Sequence, residues 1–194
     1  MIIKKLVKNL EDQTVFGLSE IARVTGKPAD KNLISAVSYY VKKGDLIRLA
    51  KGLYSFDKSY SAWELGNRLR SPSYISLNTV LQDRGVNFQP YTSIFLVANR
   101  NEIRTIKGQK YIYRKIKDEI LLNLAGIEVI DGVAVAILER AILDKIYLDG
   151  PEHFDNLRAV DWDKMDELNR SVYQRKNITK YIKEMRQDVG SKIS

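Results

Sequence analysis

The sequence predicts an α+β fold: an N-terminal winged helix-turn-helix over residues 1–58, followed by a mixed α/β domain over residues 59–194 whose last part is helical. Three observations predict it. Before Gly44, apolar side chains recur at helical spacing in three short segments, and over Asp45–Phe56 the period drops to two. Between Ser93 and Ile130, strand-forming residues gather in short runs separated by Lys-Gly and Asp-Gly turn signals. From Val135 onward, helical periodicity returns.

Taken in order, Ile2, Ile3, Leu6, Val7 and Leu10 make one apolar stripe, so Ile2–Asp12 is predicted as an amphipathic helix. Residues 13–17 are a connector. Leu18–Gly26 is a second helix, with Ser19 as N-cap, Ile21 and Val24 inward and Gly26 as the stop. Asp30 caps a third helix, Lys31–Lys43, whose buried face is Leu33, Ile34, Val37, Tyr40 and Val41, and Gly44 ends it. Leu46–Leu49 and Leu53–Phe56 flank a tight Ala50-Lys51-Gly52 turn, a hairpin projecting beside that helix with Tyr54 packed beneath it.

Residues 57–60 read as a linker. Two helices follow, Ala62–Arg70 and Tyr74–Arg84, parted by Ser71-Pro72-Ser73, with Ser73 capping the second. Strands are predicted at Ser93–Ala98, Glu102–Ile106 and Lys110–Ile116, with further strands at Ile120–Leu124 and Ile127–Ile130. Val135–Tyr147 is a strong amphipathic helix. Helices around Leu157, at Trp162–Tyr173 and at Ile178–Val189 complete the chain, and its last few residues are expected to fray.

The chain has 194 residues, 44% of them hydrophobic, enough for a packed core. No apolar run approaches the roughly 20 residues that span a bilayer, and no signal-peptide core is seen, so a cytoplasmic protein without membrane contact is expected. The absence of cysteine excludes disulfides and thiolate–metal sites. The net charge of +8 points to polyanionic partners, and residues 1–58 hold 11 Lys and Arg against 6 Asp and Glu.

That excess falls where a nucleic-acid contact is expected. A helix fits the major groove, and residues near its start reach base edges. Lys31, Asn32 and Ser35 occupy that start: Asn pairs bidentately with adenine, and Lys donates to guanine acceptors. Ser38, Tyr39 and Lys42 continue the surface toward backbone oxygens, while Arg48 and Lys51 on the hairpin reach phosphate or the minor groove. Two alternatives stand beside this. The lysines are a solvated helix face, or Arg48 is committed to Asp45 or Asp57. At the level of the whole chain the alternative is a non-enzymatic protein- or RNA-interaction module with the winged helix as scaffold.

Three segments together resemble the AbiEi family of antitoxins: KNLISAVSYYVKKGDLIRLAKGLYSF, SPSYISLNTVLQDRGV (Ser71–Val86) and VAVAILERAILDKIYL (Val133–Leu148). The similarity spans roughly residues 1–150. It implies an antitoxin and transcriptional autorepressor of a bacterial abortive-infection (type IV) toxin–antitoxin pair, active in phage defence. Its winged helix would bind inverted repeats of promoter double-stranded DNA. Its C-terminal domain would counteract a nucleotidyltransferase toxin without a stable complex. With no heptad to hold a dimer, a monomer in solution with two copies on DNA is expected.

For the second domain the candidate antitoxin surface is Arg68, Arg70, Arg100, Arg104, Lys107, Lys110 and Arg114; the same charges also protect strand edges from aggregation. Enzyme chemistry finds no support in the residues. The one histidine, His153, has only Glu152 and Asp155 near it in sequence, and no phosphate-binding glycine loop or nucleophile elbow occurs. Glu139 and Asp144 are too far apart on one helix to share a face, and Arg140 is expected to pair with Asp144 on its surface. No cofactor and no metal is expected.

Overall fold

The computed structural model describes residues 2–191, a mixed α/β chain with two sheets. The frayed end expected at residues 192–194 lies outside the described residues. The chain opens with α1 (Ile2–Asn9), β1 (Phe16–Gly17), α2 (Leu18–Thr25), α3 (Lys31–Lys43), β2 (Ile47–Ala50) and β3 (Leu53–Ser55). Leu6 and Leu10, Ile21, and Leu33 and Val37 turn the apolar stripes of the three helices onto Phe16, Leu46 and Tyr54, forming one buried cluster. The strands make an antiparallel sheet in the order β1-β3-β2. The connector read at residues 13–17 contains β1, whose two residues are too few to show a period. α2 is capped from Gly17 rather than Ser19: Gly17 N–H donates to Glu20 Oε2 at 2.6 Å, bringing a carboxylate to the helix start.

The remainder runs α4 (Ala62–Leu69), β4 (Ser73–Ile75), α5 (Asn78–Asp83), β5 (Ile94–Ala98), β6 (Glu102–Ile106), β7 (Gln109–Lys115), α6 (Asp118–Leu121), β8 (Ile127–Ile130), β9 (Val133–Ala136), α7 (Leu138–Asp149) and α8 (Trp162–Leu168). A π-helical turn (Asn169–Tyr173) and α9 (Lys176–Ser191) follow. Six strands pair in the order β6-β7-β5-β4-β9-β8, with β4–β9 and β5–β7 parallel. Helices pack on the sheet around a second, larger buried cluster.

Six expectations are corrected in this part of the chain. The helix read at Tyr74–Arg84 begins only at Asn78, because Tyr74 and Ile75 pair with Val97 and Leu96 inside the sheet. Ser73 caps nothing there; its Oγ donates to Arg70 O at 2.6 Å. Ile120–Leu124 is not a strand, since its first residues close the short helix α6. Val135 and Ala136 finish a strand before α7 starts at Leu138. No helix forms around Leu157, and Trp162–Tyr173 is α8 followed by the π-helical turn.

The two clusters meet across the small sheet. Val15 and Leu49 belong to the larger cluster, while their neighbours Phe16 and Leu46 belong to the smaller one. Polar contacts reinforce this junction. Buried Glu64 of α4 accepts from Thr14 N (2.9 Å), Thr14 Oγ1 (2.6 Å) and Val15 N (3.1 Å). Arg68, one turn on, bridges Glu64 (2.9 Å) and Glu20 of α2 (2.8 Å). The three-stranded sheet, and α3 with it, is thereby held at a set orientation on α4.

Candidate nucleic-acid interface

α3 is built to stand out from this junction. Asp30 accepts from Leu33 N at 2.9 Å and starts the helix, and Gly44, at φ 85°, ends it in the left-handed region where a side chain is strained. Burying Leu33 and Val37 on one side places Lys31, Asn32, Ser35, Ser38, Tyr39 and Lys42 on the other, and all six are exposed. Lys31, Ser35, Ser38 and Lys42 follow one another at i, i+4, i+7 and i+11, a ridge along the outer surface of the helix. Of the adjacent tyrosines, Tyr40 packs against the core and Tyr39 points out.

The hydrogen bonds of this face define what it offers. Ser35 Oγ donates to Lys31 O (2.9 Å) and Ser38 Oγ to Ile34 O (2.8 Å), so both hydroxyls turn acceptor lone pairs outward. Asn32 makes a long contact with Asp30, 3.4 Å, and keeps its amide carbonyl free. Lys43 pairs with Asp45 at 3.4 Å. Among the described residues no carboxylate neutralises Lys31, Lys42 or Lys51.

The hairpin is shorter and more firmly anchored than a projecting ribbon. Ala50 faces Leu53 across a two-residue Lys51-Gly52 turn, and Gly52 O accepts from Leu18 N at 3.1 Å, tying the turn to the start of α2. Lys51 and Arg48 are nonetheless exposed. Arg48 pairs with neither Asp45 nor Asp57; its Nε donates to Ala50 O at 3.4 Å, which aims the guanidinium along the turn.

The seven basic residues of the second region do not share one state. Arg68 is held in the junction with Glu20 and Glu64. Arg70, Arg100 and Arg104 converge on Glu102: Arg70 Nε and Arg104 Nε lie 2.6 and 2.7 Å from its oxygens, Arg100 Nε 3.3 Å. Desolvation pushes the Glu102 carboxyl up, but the hydrogen bonds and charges of Arg104 and Arg70 together outweigh it and hold the group below its ordinary range. Three guanidiniums around one carboxylate leave an excess of positive charge there. Lys107 and Lys110 stand exposed at the β6–β7 turn, and Arg114 pairs with Asp149 at 2.6 Å.

Two further groups were read differently from sequence. Arg140 and Asp144 are not a surface pair but a fully buried one. His153 lines an open groove of 460 Å³ with Glu152, Asp155, Tyr181 and Glu184. Among the described residues no group of three or more His, Asp or Glu is placed to hold a metal ion, and no helix is long and apolar enough to cross a membrane. What sequence reasoning missed is Ile34, assigned to the buried face of α3 but 44% exposed, and the Glu64–Arg68–Glu20 bridge. The i, i+4 spacing of Glu64 and Arg68 was the only local trace of that bridge.

Residues 4–56 match the profile of a family described as "Transcriptional regulator, AbiEi antitoxin", a match confined to α1 through β3 and the residue after it. No curated protein sequence matches the chain.

Proposed function

We propose that this chain, whose residues 4–56 are of the AbiEi family of antitoxin transcriptional regulators, is a non-enzymatic autorepressor that reads promoter DNA through α3. In this reading residues 1–58 are a winged helix-turn-helix domain and residues 59–194 a second domain that counteracts a nucleotidyltransferase toxin. The order α1-β1-α2-α3-β2-β3, with β1 beside β3, supports the first assignment. The observation that carries the DNA reading is the outer face of α3: uncompensated lysines at both ends, hydrogen-bonding side chains between them, and the basic Lys51 turn on the same module.

In the docked complex Lys31, Asn32 and Ser35 meet base edges, and Ser38, Tyr39 and Lys42 follow the groove toward phosphates. Arg48 and Lys51 grip the backbone or the minor groove. Two monomers on an inverted repeat satisfy the symmetry of such a site. A mobility shift on the promoter upstream of the gene tests this. The triple variant Lys31→Ala/Asn32→Ala/Lys51→Ala is expected to bind tenfold or more weakly, with a flatter salt dependence, since each lost phosphate contact removes about 0.9 from the slope of log K against log salt. An unchanged shift would place the DNA on another surface.

The toxin-directed role rests on a different face. Arg100 just before β6, Lys107 in the β6–β7 turn and Lys110 on β7 are the exposed members of the basic set that are not held in the junction or paired with Asp149. Substituting all three by Glu in the full chain is expected to abolish rescue of cells arrested by the adjacent nucleotidyltransferase gene product, with the promoter shift retained. Full rescue by that variant would remove this face from the neutralisation reading.

A further inference from the structure

We infer that Ile34 is a thymine-reading residue of α3: its branched side chain packs against a thymine C5-methyl group in the major groove. The inference rests on the DNA reading above and assigns that site a base preference.

Ile34 is the fourth residue of α3, in the part of such a helix that reaches base edges. Its apolar neighbours on the helix are accounted for within the protein. Leu33 and Val37 are buried, and Tyr40 and Val41 pack against the N-terminal cluster. Ile34 belongs to neither buried cluster and leaves 44% of its surface in water. Two of the exposed polar residues border it: Lys31 at i−3 and Ser38 at i+4. A β-branched hydrocarbon side chain bordering a polar, uncompensated basic surface has no intramolecular partner, but it has an external one. Thymine alone presents a methyl group in the major groove, beside its O4 acceptor.

The neighbouring groups suit the same base pair. Lys31 supplies a donor for O4, where cytosine carries an amino donor and no methyl. Ser35, the serine placed at the base edges, has spent its proton on Lys31 O and turns an acceptor outward, fitted to the N6 amino group of adenine. Asn32 fits N6 and N7 of adenine together. Acceptors, donors and an apolar spot on one face describe an A·T step.

The test uses the full chain and two duplexes of its own promoter, one natural and one with every thymidine replaced by deoxyuridine, which removes only the methyl groups. Binding is read by fluorescence anisotropy. The wild-type chain is expected to bind the deoxyuridine duplex about fourfold more weakly, roughly the worth of one buried methyl-sized group. Ile34→Ala is expected to bind the natural duplex about fourfold more weakly and to lose nothing more on the deoxyuridine duplex, while Ile34→Val keeps the dependence. Ile34 lies outside the core, so an unchanged melting temperature confirms that the variant is folded. Equal methyl penalties in wild type and Ile34→Ala, or none in either, overturn the inference and leave the DNA reading standing. Failure of the wild-type chain to bind the natural duplex overturns both.

Discussion

Asp144→Ala is expected to lower the unfolding free energy by about 3–5 kcal/mol, the cost of leaving one member of a buried ion pair without its partner. Arg140 and Asp144 are both fully buried on α7. The guanidinium donates to Ala125 O and Ile120 O, each at 2.7 Å, and lies against the rings of Tyr74 and Tyr173 at 5.5 and 5.3 Å. The carboxylate accepts from Tyr173 OH (2.7 Å), Ser76 Oγ (2.8 Å) and Tyr74 OH (3.1 Å). Burial pushes the Asp144 carboxyl up, against Arg140 and the three hydroxyls that favour its anion. Burial also works against the charge on Arg140, but Tyr173 and Asp144 outweigh it and the guanidinium stays protonated. Without Asp144, Arg140 Nε, which has no hydrogen bond and lies 3.6 Å from Asp144 Oδ1, loses the one carboxylate that pairs with it among the described residues. The hydroxyls of Tyr74 and Ser76 lose their acceptor as well, and Tyr173 OH keeps only its 3.4 Å bond to Arg140 O.

Urea unfolding monitored by tryptophan fluorescence measures the loss. Asp144→Asn, which keeps the shape and one acceptor, is expected to fall between wild type and Asp144→Ala. A change below about 1 kcal/mol in Asp144→Ala would mean that Arg140 finds water or another acceptor. The same packing explains Gly126, whose missing Cβ would lie 3.1 Å from Arg140 Cβ and 3.2 Å from Leu168 Cδ1, at a φ of 73° that side chains rarely adopt. The loop carrying Ile120–Gly126 is thereby clamped onto α7.

Glu64→Ala is expected to cost about 2–4 kcal/mol and to loosen the N-terminal module from α4. Two backbone N–H groups, Thr14 and Val15, end on this one carboxylate oxygen; the Val15 donor is buried, and leaving it unpaired costs about 1–3 kcal/mol, while the more exposed Thr14 donor adds less. Arg68 would keep Glu20 but lose its bond within α4. Denaturant unfolding reads the energy, and amide hydrogen exchange reads the place. The Thr14 and Val15 amides should exchange faster in the variant, while amides of β5 and β7 slow or quicken only with global stability. Unaltered exchange at Thr14 and Val15 would show that the sheet packing of Val15 and Leu49 holds the junction unaided. A loosened junction matters for the proposed reading of DNA, since α3 is oriented by the same small sheet.

How much was legible varies element by element, and for identifiable reasons. α3 was read to the residue because its signals are local: Asp30 reaches its own third amide, Gly44 adopts its own backbone angle, and Leu33 and Val37 recur with the helical period. The exposed polar face followed from the same arithmetic. Tyr74–Ile75 and Val135–Ala136 were read as helix because a short apolar run buried on both sides carries no period, and only strand pairing distinguishes it. Ile34 sat at the correct spacing for burial, but the core is narrower than the stripe and leaves it outside. Arg140 and Asp144 have the spacing of a solvated pair, and nothing in a single helix tells whether other elements will close over them.

The chain's order of helices and hairpin, its basic N-terminal third and the hydrogen-bonding character of α3 are properties of neighbouring residues, set by capping, period and charge within a few positions. The Glu102 arginine cluster, the buried Arg140–Asp144 pair and the Glu64 junction join residues 32, 70 and 50 positions apart, or decide whether a local pair is wet or dry. Such contacts depend on which surfaces the packed sheet and helices bring together, and burial, unlike helical period, is a property of the assembled core.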